Sequence, residues 1–208
     1  MPLCFIEEIS LVGTLGVWKI EEDENTLLRM RSLPPSEKEH IEALKNEKKR
    51  RQRLAYRILL QNILKQEFVL TYDTVGKPSF VNRKDYVSVS HSKDYATVFI
   101  SPNLPIGIDI EQLSERMPAL ASRFLSSSEV NSLDLNNLDL LHIYWGGKEC
   151  LYKMYSDKKP LFDEHLSLQP FDIYQSKQTK AYIKMQDFNA EHQLSFRKID
   201  DYMLVYCY

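Results

Sequence analysis

Asp109 and Glu111 stand two residues apart in the run Pro105-Ile106-Gly107-Ile108-Asp109-Ile110-Glu111, at the middle of a 208-residue chain. Alternation of this kind predicts a half-buried strand, with the isoleucines on one face and the two carboxylates on the other. Neighbouring acids repel each other unless a cation or solvent separates them. A pair of hard oxygen donors suits Mg²⁺, which takes one or two carboxylates together with substrate phosphates. The same pattern also describes an ordinary exposed strand face. A second acid–base pair, Glu149 and Lys153, is four apart in a helical stretch. It reads either as a salt bridge along the helix or as a carboxylate and an amine presented together to a substrate. Ser90-His91-Ser92 offers hydrogen-bond donors to an anion, or a solvated turn histidine. The basic cluster Lys48, Lys49, Arg50, Arg51 and Arg53 is a solvated helix face or the phosphate-binding end of a groove. A nuclear-import or nucleic-acid-binding role is disfavoured, because the domain around the cluster is not basic.

Elements must carry these residues to one place. Leu11–Ile20 predicts a first strand, interrupted by Gly13 and Gly16. Pro34-Pro35-Ser36 followed by Glu39 predicts a helix entry capped by Ser36. Helical composition then runs to about Gln66, as two helices broken near Asn46. Tyr72–Pro78 is a turn that holds Lys77 between punctuating residues. Tyr86–Ser90 and Tyr95–Ile100 predict a hairpin around Ser92–Asp94. After the acidic strand, Arg116–Val130 is helical in part. Leu138–Tyr155 is a helix with Leu140, Tyr144, Leu151 and Tyr155 on one face. Leu166–Tyr174, Lys180–Met185, Gln193–Lys198 and Tyr202–Tyr206 alternate as strands. The order strand, helices, strands therefore occurs twice. It predicts an α+β fold divided into 1–103 and 104–208.

Bulk properties narrow the setting. Net charge is −2, so no global field draws nucleic acid or membrane, and an anion site must be local. No apolar run reaches the roughly 18 residues of a membrane span. Cys4, Cys150 and Cys207 have neither metal-ligand nor disulfide-framework spacing, which points to a reducing compartment. The N-terminus carries Glu7 and Glu8 and does not resemble a signal peptide, so the expected location is cytoplasmic.

Four short motifs in order resemble the 4'-phosphopantetheinyl transferase superfamily, in its two-lobed surfactin-synthetase-activating form. They are Gly76-Lys77-Pro78, Ser90-His91-Ser92, Gly107-Ile108-Asp109-Ile110-Glu111, and Trp145-Gly146-Gly147-Lys148-Glu149-Cys150-Leu151-Tyr152-Lys153. Arg123-Phe124-Leu125-Ser126 with Glu129 is similar to the segment that separates the last two. The resemblance covers residues 76–153 and rests on strand pattern alone before residue 34 and after about 175. Two departures stand out. Gly146-Gly147 replace small or apolar helix formers at a cost of about 1 kcal/mol each, so the helix is expected to start or bend there. His40 is the nearest match to a basic residue that the family shows in Glu37–Ile41.

The resemblance implies two similar α/β lobes in pseudo-twofold arrangement, each a small antiparallel sheet packed with helices, with the active site in the cleft between them. It implies transfer of phosphopantetheine from coenzyme A to a serine of an apo acyl or peptidyl carrier protein, releasing 3',5'-ADP. By the same resemblance Asp109, Glu111 and Glu149 hold Mg²⁺, and Glu149 and Lys153 are catalytic. Lys77, Ser90 and His91 bind the coenzyme, with Arg50 and Arg57 reaching its 3'-phosphate. Lys148 is read as structural, beside the apolar stripe, and Lys158 and Lys159 as contacts to the carrier. The enzyme is expected to be a monomer that binds no nucleic acid and no membrane. A non-catalytic relative that binds coenzyme A or a carrier, and a metal-dependent phosphodiesterase or nuclease, are the competing readings. The latter predicts a broader basic surface.

Overall fold

A computed structural model of the chain describes residues 2–208, with the side chain of Ser36 outside the description. It opens with a hairpin. β1 (Leu3–Ile9) alternates half-buried and exposed residues and pairs antiparallel with β2 (Gly13–Lys19). Leu11 turns the corner at φ 62° and is exposed. The sequence pattern runs one strand through this corner and misses β1. An irregularity between Leu3 and Phe5 and the adjacent Glu7 and Glu8 disguise its period.

α1 (Glu24–Met30) is capped by Asp23, whose carboxylate accepts the Thr26 N–H at 2.7 Å. α2 (Pro35–Glu42) has Pro34 at its cap position and no side-chain cap. Proline just inside its start is pre-set for the helix and lacks an N–H that would be orphaned there. The expected Ser36 cap falls on the side chain outside the description, one residue inside the helix. α3 (Glu47–Leu64) begins where Asn46 accepts the Lys49 N–H and ends on Lys65 at φ 50°. The break near Asn46 is where the sequence places it. The short pair β3 (Leu70–Tyr72) and β4 (Pro78–Phe80) follows, then the hairpin β5 (Tyr86–Ser92) and β6 (Tyr95–Ser101). The sheet order is β1-β2-β6-β5, with β3-β4 separate. Leu54, Ala55, Ile58 and Leu59 of α3 form a core with Trp18, Val98 and Ile100 of the sheet.

The second half starts with β7 (Gly107–Gln112). α4 (Met117–Leu120), a 3₁₀ turn over Ala121–Arg123, α5 (Ser127–Ser132) and α6 (Leu138–Tyr155) come next. β8 (Leu166–Leu168), β9 (Gln178–Met185), β10 (Phe188–Ile199) and β11 (Tyr202–Cys207) complete an antiparallel sheet ordered β7-β11-β10-β9-β8. The chain therefore enters this sheet at one edge and finishes on the neighbouring strand, so that Asp109 lies opposite Val205. The fold is α+β, antiparallel sheets packed with helices. The chain divides into one unit ending at Leu104 and another spanning Pro105–Tyr208. Strands, helices and strands succeed one another in both. Among the described residues no helix is long and apolar enough to cross a membrane.

Candidate active site

β7 and α6 meet at a distance that only glycine allows. A Cβ on Gly107 would lie 2.7 Å from Cα of Cys150 in α6. On the helix, a Cβ on Gly146 would meet Val205 Cγ2 at 2.8 Å, and one on Gly147 would meet Leu194 Cδ1 at 2.6 Å. α6 is continuous through both glycines, contrary to the start or bend expected from their intrinsic cost. Packing against β10 and β11 outweighs the propensity, because contact at this range requires the missing side chains. The helix is buried on nearly every side. Gly146, Gly147 and Cys150 face the sheet, beside the stripe of Tyr144 and Leu151 that the sequence shows.

This close approach decides the fate of the acidic face. Gly107, Asp109 and Glu111 alternate toward α6, so the face is covered by the helix. Asp109 is only 3% exposed. Lys153 Nζ donates to Asp109 Oδ1 and to the Ile108 carbonyl, each at 2.8 Å. Burial disfavours the Lys153 charge, but Asp109, with smaller contributions from Cys150 and Glu149, outweighs it and raises the lysine above its ordinary range. Lys153 thus serves the strand rather than a simple pair with Glu149 along the helix. Glu149 is half-buried, and burial together with repulsion from Asp109 lifts its carboxyl to about 7, against a weaker pull from Lys153. Glu111, two residues along the strand, is also half-buried.

Two carboxylates whose charges oppose each other, beside one lysine, are hard oxygen donors that a divalent cation would relieve. By donor chemistry Asp109 and Glu149 fit Mg²⁺. Among the described residues, no three His, Cys, Asp or Glu side chains converge as a metal-holding group. The expected triad of Asp109, Glu111 and Glu149 is therefore not gathered, with Lys153 occupying one side of Asp109.

Trp145 and Lys148, on the other side of α6, do different work. The Trp145 ring meets Phe124 edge-on at 5.3 Å and stacks on Phe162 at 5.6 Å. Lys148 is fully buried and ion-paired to Glu129, which agrees with a structural role. The sequence signal for Glu129 is the spacing Ser126-x-x-Glu129. It forms a capping box on α5, with Ser126 and Glu129 satisfying each other's backbone N–H.

The remaining candidate residues lie in the first unit. Lys77 follows the turn that Asp73 closes by accepting the Val75 and Lys77 N–H groups. Ser90 and His91 lie near the end of β5, with His91 stacked on Tyr56 at 6.4 Å. Arg57 is buried. Its guanidinium pairs with Glu37 and donates to the Arg53 carbonyl and the hydroxyls of Tyr56 and Tyr72. Arg50 is tied through Nε to both Glu24 oxygens and through NH1 to the Leu44 carbonyl. Arg57 therefore spends four of its five donors on the framework, and Arg50 spends two. A cavity of about 270 Å³ opens beside Arg57, lined also by Glu37, His40, Leu70, Thr71 and Tyr72. His40 stacks on Tyr72 at 5.7 Å and Arg53 lies over the same ring. The two tyrosines escape the sequence reading, since aromatic residues beside a buried helix face look like ordinary core.

The arrangement in the second unit coincides with what the chain resembles. Residues 105–207 match the model of the 4'-phosphopantetheinyl transferase superfamily. A putative 4'-phosphopantetheinyl transferase of Synechocystis is 32% identical over 113 residues, covering 49% of this chain and 46% of that protein. The L-aminoadipate-semialdehyde dehydrogenase-phosphopantetheinyl transferases of Mus musculus and Xenopus laevis are each 25% identical, over 73% and 72% of this chain. In each case 58% of the relative is covered, so the chain spans about half the length of the curated relatives it matches. Through residues 105–207 the chain belongs to the 4'-phosphopantetheinyl transferase superfamily.

Proposed function

We propose that this protein transfers the 4'-phosphopantetheine group of coenzyme A to a serine of an apo acyl or peptidyl carrier protein, as an enzyme of the holo-acyl-carrier-protein synthase or surfactin-synthetase-activating kind. The observation that carries the reading is the grouping of Asp109, Lys153 and Glu149 on β7 and α6, inside the segment that matches the family. In the reaction, the serine oxygen forms a bond to the phosphorus that bears pantetheine. The bond from that phosphorus to the bridging oxygen breaks, and 3',5'-ADP leaves. A carboxyl near 7 is matched to taking the serine proton at neutral pH, and Glu149 is the group for it. Lys153 keeps Asp109 oriented. Its ammonium has three donors, of which two go to Asp109 and Ile108, so one remains for the departing phosphate. Mg²⁺, where bound, would neutralise pyrophosphate charge. Asp109 and Glu149 are the side chains that would hold it.

Lys77, Ser90 and His91 are the first unit's contacts to the coenzyme. His40 and Arg53 meet its 3'-phosphate, with Arg50 and Arg57 as the framework behind them. The reading carries with it a cytoplasmic monomer. Its test is the intact mass of several apo carrier proteins after incubation with the protein, coenzyme A and Mg²⁺. A phosphopantetheine mass gain on a carrier is expected. Coenzyme A binding with no gain on any carrier would instead support a non-catalytic binding relative.

A further inference from the structure

The polar ties on the outer side of α6 converge on one atom. Lys148 Nζ donates to Glu129 Oε2 at 2.5 Å, to the Phe124 carbonyl at 2.8 Å and to the Phe162 carbonyl at 3.0 Å. All three ammonium hydrogens are thereby used. Phe124 and Phe162 are also the two residues whose rings flank Trp145. One buried cation therefore fixes the backbone of both walls of the tryptophan slot, three residues along the helix from Trp145 and adjacent to Glu149.

The helix needs such an anchor here. Its interior contains Gly146-Gly147, which give close approach to the sheet but no stiffness of their own. On the sheet side Lys153 binds Asp109; on the outer side Lys148 binds Glu129. Glu149 lies between the two ties. A buried pair is weak evidence for stability, since well-packed apolar residues often serve as well. This one also leaves Glu129 Oε1 buried without a hydrogen-bond partner. A buried but imperfectly satisfied pair suits a role in fixing position.

We propose that the Glu129–Lys148 pair is a positioning device that sets where α6 presents Glu149 to Asp109. Neither residue touches substrate. The inference rests on the transferase reading for its consequence in catalysis, but its geometry can be tested separately. The variant is the full chain carrying Glu129→Gln and Lys148→Met together, which removes both charges and keeps the volume. Amide hydrogen exchange, thermal unfolding, and kcat and KM for coenzyme A are compared with the wild type.

The double variant should unfold within about 5 °C of the wild type. Exchange at residues 147–150 should rise about tenfold or more, while the β10 and β11 amides keep their protection. kcat should fall about tenfold or more with KM for coenzyme A nearly unchanged, the mark of an interaction lost at the reacting centre. Unchanged exchange at 147–150, or equal loosening of helix and strands, would overturn the proposal. So would an unchanged kcat in a protein whose helix has loosened. If the double variant does not fold, Glu129→Gln alone decides by the same exchange criterion. A wild type that modifies no carrier sinks the transferase reading, while the exchange data still decide the positioning claim.

Discussion

α3 and α6 are both 18 residues long, and each buries a cation paired with an acid from a short helix before it. Arg57 meets Glu37 of α2, and Lys148 meets Glu129 of α5. The resemblance ends at the sheet. α3 packs through Leu59 and Ile63 onto Gly16, so flexible side-chain ends fill the space that the strand leaves. α6 carries its own glycines and meets a glycine on β7, so backbone lies against backbone. The first design tolerates adjustment and lets the other side of the helix carry arginines beside a cavity. The second fixes the helix against the strand that holds Asp109. The proposed reactive pair, Asp109 and Glu149, would draw on the second kind of contact.

Substitution at the glycines should separate the two designs most widely. Gly107→Val should cost more than about 3 kcal/mol, because Cys150 backbone cannot move aside as a side chain can. Gly16→Ala, meeting Leu59 Cδ1 at 2.9 Å and Ile63 Cδ1 at 3.1 Å, should cost about 1 kcal/mol. Urea unfolding of both variants measures the contrast, and equal costs would erase it.

The buried pairs come next. Lys148→Met alone leaves the Glu129 carboxylate buried and should destabilise by about 3–5 kcal/mol, while the added Glu129→Gln recovers part of the loss. Arg57→Leu should cost less, since Glu37 keeps the Leu70 N–H and borders the cavity, where water can reach it. Chemical denaturation of the four proteins ranks them.

Acidity supplies a third contrast. Glu149 holds its proton up to about 7 in the folded protein, against 4.5 for the ordinary group. Between those values the unfolded chain releases a proton that the folded chain keeps, so stability falls as pH rises through that window. The penalty is complete above the folded value. Without divalent cations, Glu149→Gln should flatten this slope in a thermal melt series from pH 4 to 8. Above pH 7, Mg²⁺ should raise the melting temperature of the wild type but not of the variant. The smallest effects belong to the caps. Asn46→Ala and Asn137→Ala should each cost about 1 kcal/mol, read as a fall in melting temperature, because both helices start on the same asparagine device.

Much of this organisation is legible from local pattern. α6 occupies the stretch where apolar spacing places a helix, and the β5–β6 hairpin turns at Lys93-Asp94 as its flanking alternation indicates. What pattern cannot show is which face of a strand another element will cover. Ile106, Ile108 and Ile110 mark one face of β7 as apolar. Nothing local says that Asp109 on the other face will be buried by a helix some 40 residues later. The glycines of α6 carry the answer, but propensity alone reads them as a break. Their meaning lies in Val205 and Leu194, far along the chain. Likewise Arg50 and Arg57 look like free basic charge until Glu24, Glu37 and the tyrosines close around them.

The central claim is that Asp109 and Glu149 form the reactive centre of a phosphopantetheinyl transfer. It is tested most directly by the rate of phosphopantetheine attachment to one carrier protein, followed by intact mass. Wild type, Asp109→Asn and Glu149→Gln should be compared at temperatures where circular dichroism shows all three folded. Each substitution should lower the rate by about 100-fold or more, the scale of losing a general base or a stabilising charge at the reacting centre. A Glu149→Gln protein that transfers within a few-fold of the wild type would contradict the claim.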